Sequence, residues 1–320
     1  MATIRRRKPK TLRRKDGLLR YARNETSQGG EDGIVKRLFE LLPSPSLIES
    51  GIHLSNTYQL LVANPDPWRG VLVEADAARY EELSALHAPL GNLCVCRAVS
   101  CVADSDDSLL SILSACAPSL PHDFDFATID VDGTDYWLMA DLLSSYRPKC
   151  LCVEFNPTIP NDLIYIQPRD DAVRQGSSLA ALVELASSHQ YTLVETTIYN
   201  AFFVPDDLFA LYIKDHVPQQ KGNCGQSTPD TSIEALHEVT MGTSLYQLYD
   251  GTLKLHGCKK LLWHRKPINE ADIQVLSAHT RSFPFKPGAL QPANTPHKVY
   301  RPQPPQKGAA EEEAIEEEGL

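Results

Sequence analysis

From Val71 onward, compact apolar runs alternate with helix-like stretches, and the runs close on acidic residues. Val71-Leu72-Val73 ends at Glu74, Phe124 to Ile129 ends at Asp130, and Lys149 to Phe155 carries Glu154 with Asn156 just beyond. Runs with no polar alternation are buried on both faces, which belongs to a mostly parallel sheet covered by helices. A further strand is expected near Leu93 to Val99. Helices are expected at Ala77 to Leu86, Ser108 to Cys116, Tyr136 to Leu143 and Leu179 to Ser188. Thr192 to Thr197 and Ala201 to Val204 read as an antiparallel pair that closes the sheet. Strand one is shortest: Leu47 and Ile48 lead to Glu49, Ser50 and Gly51, after which Ser55 and Asn56 can cap a helix to about Ala63. The expected fold class is α/β, with a mostly parallel sheet and a terminal antiparallel pair.

Charge divides the 320 residues unevenly, because the net −10 conceals a basic start and an acidic end. Arg5 to Lys15 is a basic arm, and Glu311 to Glu318 is an acidic run; both read as solvated tails. The expected layout is a disordered arm over 1–24, a catalytic-type domain over 25–214, an extension over 215–285 and a Pro-rich, acidic tail over 286–320. Within the extension, Tyr246 to Trp263 reads as a hairpin around Asp250 and Gly251. The arm is compatible with nucleic-acid binding, a nuclear address or an organelle transit segment, although nucleic acid is not the favoured partner. Apolar runs such as Leu109 to Leu113 are far short of the ~20 residues of a membrane span, and a cytoplasmic setting is expected. Cys94 with Cys96 and Cys150 with Cys152 stand two apart in strands and so share a face. Zinc pairs need wider spacing on turns, and buried reduced thiols are expected instead.

In an open parallel sheet, ligands bind beyond the carboxyl ends of the strands, and the acids there are the candidate site. Glu74 closes the second strand, where a carboxylate can accept both hydroxyl protons of a ribose. Ile129-Asp130-Val131-Asp132-Gly133 sets two carboxylates on a turn that glycine tightens. Together with Asp132, Glu154 and Asn156 could orient a substrate hydroxyl, only satisfy loop amides or, as a weaker alternative, hold a divalent cation through hard oxygens. The string Asp130-Val131-Asp132-Gly133-Thr134 is also similar to the nucleophile motif of haloacid-dehalogenase-like phosphatases. That motif ordinarily opens its fold, and Asp135-Tyr136 departs from it. An EF-hand is excluded by the early glycine.

Several strings together resemble the FkbM-type methyltransferases over about residues 26–213. They are Ser27 to Asp32, His53 to Thr57, Val73-Glu74, Ile129 to Gly133, Val153 to Pro157 and Asn200 to Phe203. The resemblance implies a Rossmann-like class I methyltransferase fold that binds S-adenosyl-L-methionine and transfers its methyl to an oxygen of a small-molecule or glycan-like acceptor. It puts Glu49 and Gly51 at the methionine end, Glu74 at the ribose and Asp130 beneath the sulfonium, with Asn56 also on the cofactor side, leaving Asp132, Glu154 and Asn156 for catalysis. The family expects a full first strand and a glycine-rich loop, and the stretch Leu47 to Gly51 departs from that. The competing reading is therefore a catalytically inactive binding or scaffold protein on the same fold.

Overall fold

The structure, a computed structural model, describes residues 16–25, 27–43, 50–53, 69–221, 226–239 and 241–284, with the backbone alone for 50–53. Seven strands form the main sheet: β1 (Ser50–His53), β2 (Arg69–Glu74), β3 (Leu93–Cys96), β4 (Phe126–Ile129), β5 (Cys150–Glu154), β6 (Tyr191–Thr196) and β7 (Asn200–Pro205). Their order is β3-β2-β1-β4-β5-β7-β6. β1 to β5 pair in parallel, and only β7 runs against its neighbours. Strand order reverses between β1 and β4, the switch point at which doubly wound sheets hold their ligands.

The first strand corrects the sequence reading. β1 is Ser50–His53, paired with β2 from Ser50↔Arg69 to His53↔Leu72 and with β4 from Gly51↔Phe126 to His53↔Thr128. Gly51 thus sits inside the central strand and not in a loop after it. Two flanking ladders supply the hydrogen bonds that hold a sequence as unpromising as Ser-Gly-Ile-His in a strand. Glu49 precedes β1 in the chain; it and Asn56 lie outside the described residues, as do the basic arm over 1–15 and the tail from 285.

Successive residues on each strand point to opposite faces, and each face has its own core. Val71, Val73, Leu151 and Val153 pack with α3 (Leu109–Cys116), α4 (Asp135–Ser145) and α5 (Leu179–Ser188), through Leu113, Leu142 and Leu182 among others. Leu72, Cys150, Cys152, Phe202 and Val204 pack on the other face with α1 (Glu31–Leu41), through Ile34 and Leu38. The thiols of Cys150 and Cys152 are buried there as expected, whereas Cys96, on the edge strand β3, is exposed. Between β2 and β3 lies α2 (Ala77–His87), whose N-cap Asp76 accepts the amide of Arg79 at 2.9 Å.

Two expected domain boundaries move. Leu18–Tyr21 forms a 3₁₀ turn, and Leu18 is fully buried with Ile34, Leu38 and Phe126. The amide of Leu19 donates to Glu195 at 2.7 Å, so the arm ends before residue 18 and not at 24. The extension likewise does not form a module of its own. One compact unit comprises residues up to Tyr246 together with Leu255–Asp272, and a second comprises Gln247–Lys254 and the residues from Ile273. In the first unit, Val217 and Leu236 are buried in the two cores. The anticipated hairpin is β10 (Thr243–Gln247) with β11 (Leu253–Gly257); β8 (Gln219–Lys221) pairs with β9 (Ser227–Pro229). No helix among the described residues is long and apolar enough to cross a membrane.

Candidate functional site

A cleft of about 1590 Å³ opens at the carboxyl ends of β2, β4 and β5. The strand-end acids Glu74, Asp130, Asp132 and Glu154 all line it. Parallel pairing forces this convergence: each strand leaves the sheet at the same edge, so the residue that ends its apolar run meets the others there.

Asp130, Asp132 and Glu154 form a tight group, with one carboxylate oxygen from each lying within 4.8 Å of the others. The turn that carries the two aspartates is fixed from below by Asp135, the first residue of α4. Its Oδ1 accepts the amide of Val131 and its Oδ2 accepts that of Gly133, both at 2.9 Å. Asp132 is left-handed at φ 57°, and Gly133 has φ 152°, which side chains rarely tolerate. A Cβ on Gly133 would also lie 3.1 Å from the Arg174 Cα, so the glycine serves close approach as well as conformation. Burial raises the Asp135 carboxyl to about 7 against the two amides that favour its anion.

Glu154 is raised further, to about 9. Burial is the larger cause, followed by the charges of Asp130, Asp135 and Asp132 and a hydrogen bond with Asp130. At neutral pH Glu154 therefore keeps its proton and shares it with Asp130. The oxygens of Asp130, Asp132 and Glu154 are of the kind that hard divalent cations take.

Asn156 does not join this group. Its Nδ2 donates to the Gln175 carbonyl at 2.7 Å, while its Oδ1 accepts the Thr158 amide at 2.9 Å and hydroxyl at 2.7 Å. Both ends of the amide are spent on folding the segment after β5, and the residue is not among those lining the cleft. Asn156, expected as a catalytic or ligating residue, is placed instead among the contacts that fold this loop. Glu74 lies at the end of β2, half-buried, with Oε1 accepting the Asp76 amide at 2.8 Å. Gly51 lies within strand β1.

Other functional candidates were not visible in the sequence pattern. Glu31, at the start of α1, lines the cleft and is 4% exposed. Its Oε1 accepts Thr197 Oγ1 at 2.7 Å and Asn200 Nδ2 at 3.2 Å, and its Oε2 accepts the Gly29 amide at 2.7 Å. This ties α1 to the β6–β7 turn across 166 residues of chain. Asp171 reaches back to the segment after β3, accepting Ser100 Oγ at 2.6 Å and the Cys101 amide at 2.8 Å. The long connection after β5 thereby closes one side of the cleft. Its shape is held by Gln167, whose Oε1 accepts the amides of Gln175 and Gly176 at 3.0 and 2.9 Å. The clue to Glu31 was its place directly after a glycine pair at a helix start; contacts as distant as that of Asp171 leave no local trace.

No protein-family model matches the chain, and no curated protein matches it. Among solved structures, the chain is similar to the N-terminal domain of EvdMO1, a crystal structure with SAH bound. The identity is 11%, the match covers 53% of this chain and 76% of that one, and the TM-score is 0.30. What the fold and cleft define by themselves is a doubly wound α/β protein with an acidic ligand cleft at its topological switch point.

Proposed function

We propose that the chain is an S-adenosylmethionine-dependent methyltransferase that acts on a hydroxyl of a small-molecule or glycan-like acceptor. The observation that carries this reading is the convergence of Glu74, Asp130 and the Asp132–Glu154 pair on one cleft, at the strand ends where the FkbM-type resemblance expects a nucleoside cofactor and its acceptor. Glu74 would accept the ribose hydroxyls, as an acid closing the second strand of a dinucleotide-binding sheet does. Asp130 would lie toward the sulfonium. Bound there, the cofactor supplies a methyl group on a positively charged sulfur. Transfer of that methyl to an acceptor hydroxyl would leave a neutral thioether and one proton to be taken up, and the residues of the cleft would hold the two partners in line. The hydroxyl proton passes to Asp132, the exposed carboxylate of the group. Glu154 keeps its own proton, which lowers the negative charge beside Asp130 and leaves Asp132 as the acceptor of the departing one.

The scaffold reading drew on the short apolar pair at Leu47 and Ile48. Ser50–His53 is paired on both sides as a central strand, which supports an intact sheet core and favours the enzyme reading. The phosphatase reading fits poorly with a motif that follows the fourth strand of the sheet. The test is a calorimetric titration with S-adenosylmethionine. The parent binds, and Glu74→Ala loses ~1.5–3 kcal/mol, the usual cost of hydrogen bonds to a charged group. Unchanged affinity in the variant removes Glu74 from the site, and a parent that does not bind overturns the methyltransferase reading.

A further inference from the structure

One wall of the cleft has a charge opposite to its floor. Lys260, Trp263 and Arg265 line it from a short loop of the C-terminal region. The loop is built, not trailing: Lys260 and Pro267 form an antiparallel bridge, the Leu261 amide donates to the Lys266 carbonyl at 2.8 Å, and the Ile268 amide donates to the Lys259 carbonyl at 2.9 Å. Arg265 turns its tip in the left-handed conformation, φ 56°. Lys259 at the base is held by Glu270. Lys260 and Arg265 have no carboxylate partner among the described residues, and neither has Arg174, whose backbone abuts the Asp132–Gly133 turn. By contrast Arg97, which also lines the cleft, is paired with Asp107 at 3.1 Å. Trp263 is 56% exposed, an indole face with little protein covering it.

We propose that this wall is the acceptor site and that the acceptor is an anionic sugar, its phosphate or carboxylate held by Lys260, Arg265 and Arg174 with its ring against Trp263. The inference rests on the methyl-transfer reading for the word acceptor, though not for the anion site itself. Among the described residues Lys260, Arg265 and Arg174 form no ion pair with the carboxylates of the cleft, so they are not there to neutralise them. They attract an incoming anion and hold it by charge-assisted hydrogen bonds. An exposed indole gives the apolar face of a ring a place to lie while its polar edge stays in water. The room is sufficient: pockets for a single drug-sized ligand are about 300–1,000 Å³, and this cleft exceeds that range. Arg174 beside the Asp132 turn would bring the charged end of the sugar close to the base that takes the hydroxyl proton.

The experiment titrates the full chain, with and without S-adenosylhomocysteine, against glucose 6-phosphate, glucuronate, pyrophosphate and neutral glucose. The proposal expects binding of the charged probes but not of glucose, weakening severalfold between about 50 and 300 mM salt. Lys260→Gln/Arg265→Gln should lower the affinity for charged sugars at least tenfold and leave that for S-adenosylhomocysteine within twofold. Trp263→Ala should weaken glucose 6-phosphate more than pyrophosphate, because only the former presents a ring. A parent that binds no charged probe, a double variant that binds them as tightly as the parent, or glucose bound as well as its phosphate would overturn the proposal. Charged probes that bind when S-adenosylhomocysteine does not would keep the anion site and sink the methyl-transfer reading instead.

Discussion

Replacing Glu154 by glutamine should stabilise the protein, and by an amount that depends on pH. Its carboxyl lies within 4.8 Å of those of Asp130 and Asp132 and is raised to about 9 by burial and by their charges. A carboxyl raised in the folded state binds more protons there than in the unfolded chain, so its contribution is fully present below about 4.5 and is lost as pH rises toward 9. Linkage across that whole window gives an upper bound of about 6 kcal/mol. A single repulsion at 4.8 Å with an effective dielectric constant of 20 gives about 3.5 kcal/mol. The cleft is open to water, which screens further, and about 2–3 kcal/mol is expected at pH 8.5. For a domain of this size that is a rise in melting temperature of about 5–10 °C, against almost none at pH 4.5. The assay is thermal unfolding of parent and Glu154→Gln across pH 4.5–9 in EDTA, which strips any cation from the three carboxylates. A gain that does not vary with pH would show that the Glu154 carboxyl is not raised by folding, and a loss at pH 8.5 would show that it is ionised and favourably held; either refutes the proton sharing with Asp130.

Leu18→Ala should cost ~2–5 kcal/mol in denaturant unfolding, as for other fully buried leucines, whereas a melt unchanged by deleting residues 1–21 would show that the first turn is not part of the core. Gly133→Ala should lose ~1–3 kcal/mol, from backbone strain plus crowding against Arg174, and Ser at the same position should do no better; a neutral Ala variant in chemical unfolding would contradict the turn geometry. Asp135→Ala leaves the Val131 and Gly133 amides without their acceptor and should cost ~2–5 kcal/mol, with Asp135→Asn recovering part of it, as read from the same unfolding curves.

Most of the sheet was legible in the sequence because buried parallel strands are continuous apolar runs, and the acid that ends each run marks the edge where ligands gather. That reasoning led to Glu74, Asp130, Asp132 and Glu154, and the four line one cleft. The sequence drew β1 on the apolar pair Leu47 and Ile48, whereas the described pairing lies at Ser50–His53, and pairing to two neighbours is a tertiary property. Asn156 looked like a site residue because it follows a strand-end acid; asparagine in that position equally often folds its own loop, and here Thr158 and Gln175 occupy it. Leu18 was hidden by its basic surroundings, since a four-residue turn has no periodicity to detect. Glu31 and Asp171 act through partners about 70 or more residues away, for which sequence spacing holds no information.

The central claim is that a nucleoside cofactor lies with its ribose on Glu74, and one comparison measures it most directly: calorimetric affinities of S-adenosylhomocysteine and its 2′-deoxy analogue, for the parent and for Glu74→Ala. The parent should prefer the ribose form about tenfold or more, the effect of leaving a charged acceptor without one of its donors, and the variant should bind both forms alike. A parent that does not distinguish them, or a variant that retains the preference, would contradict the account.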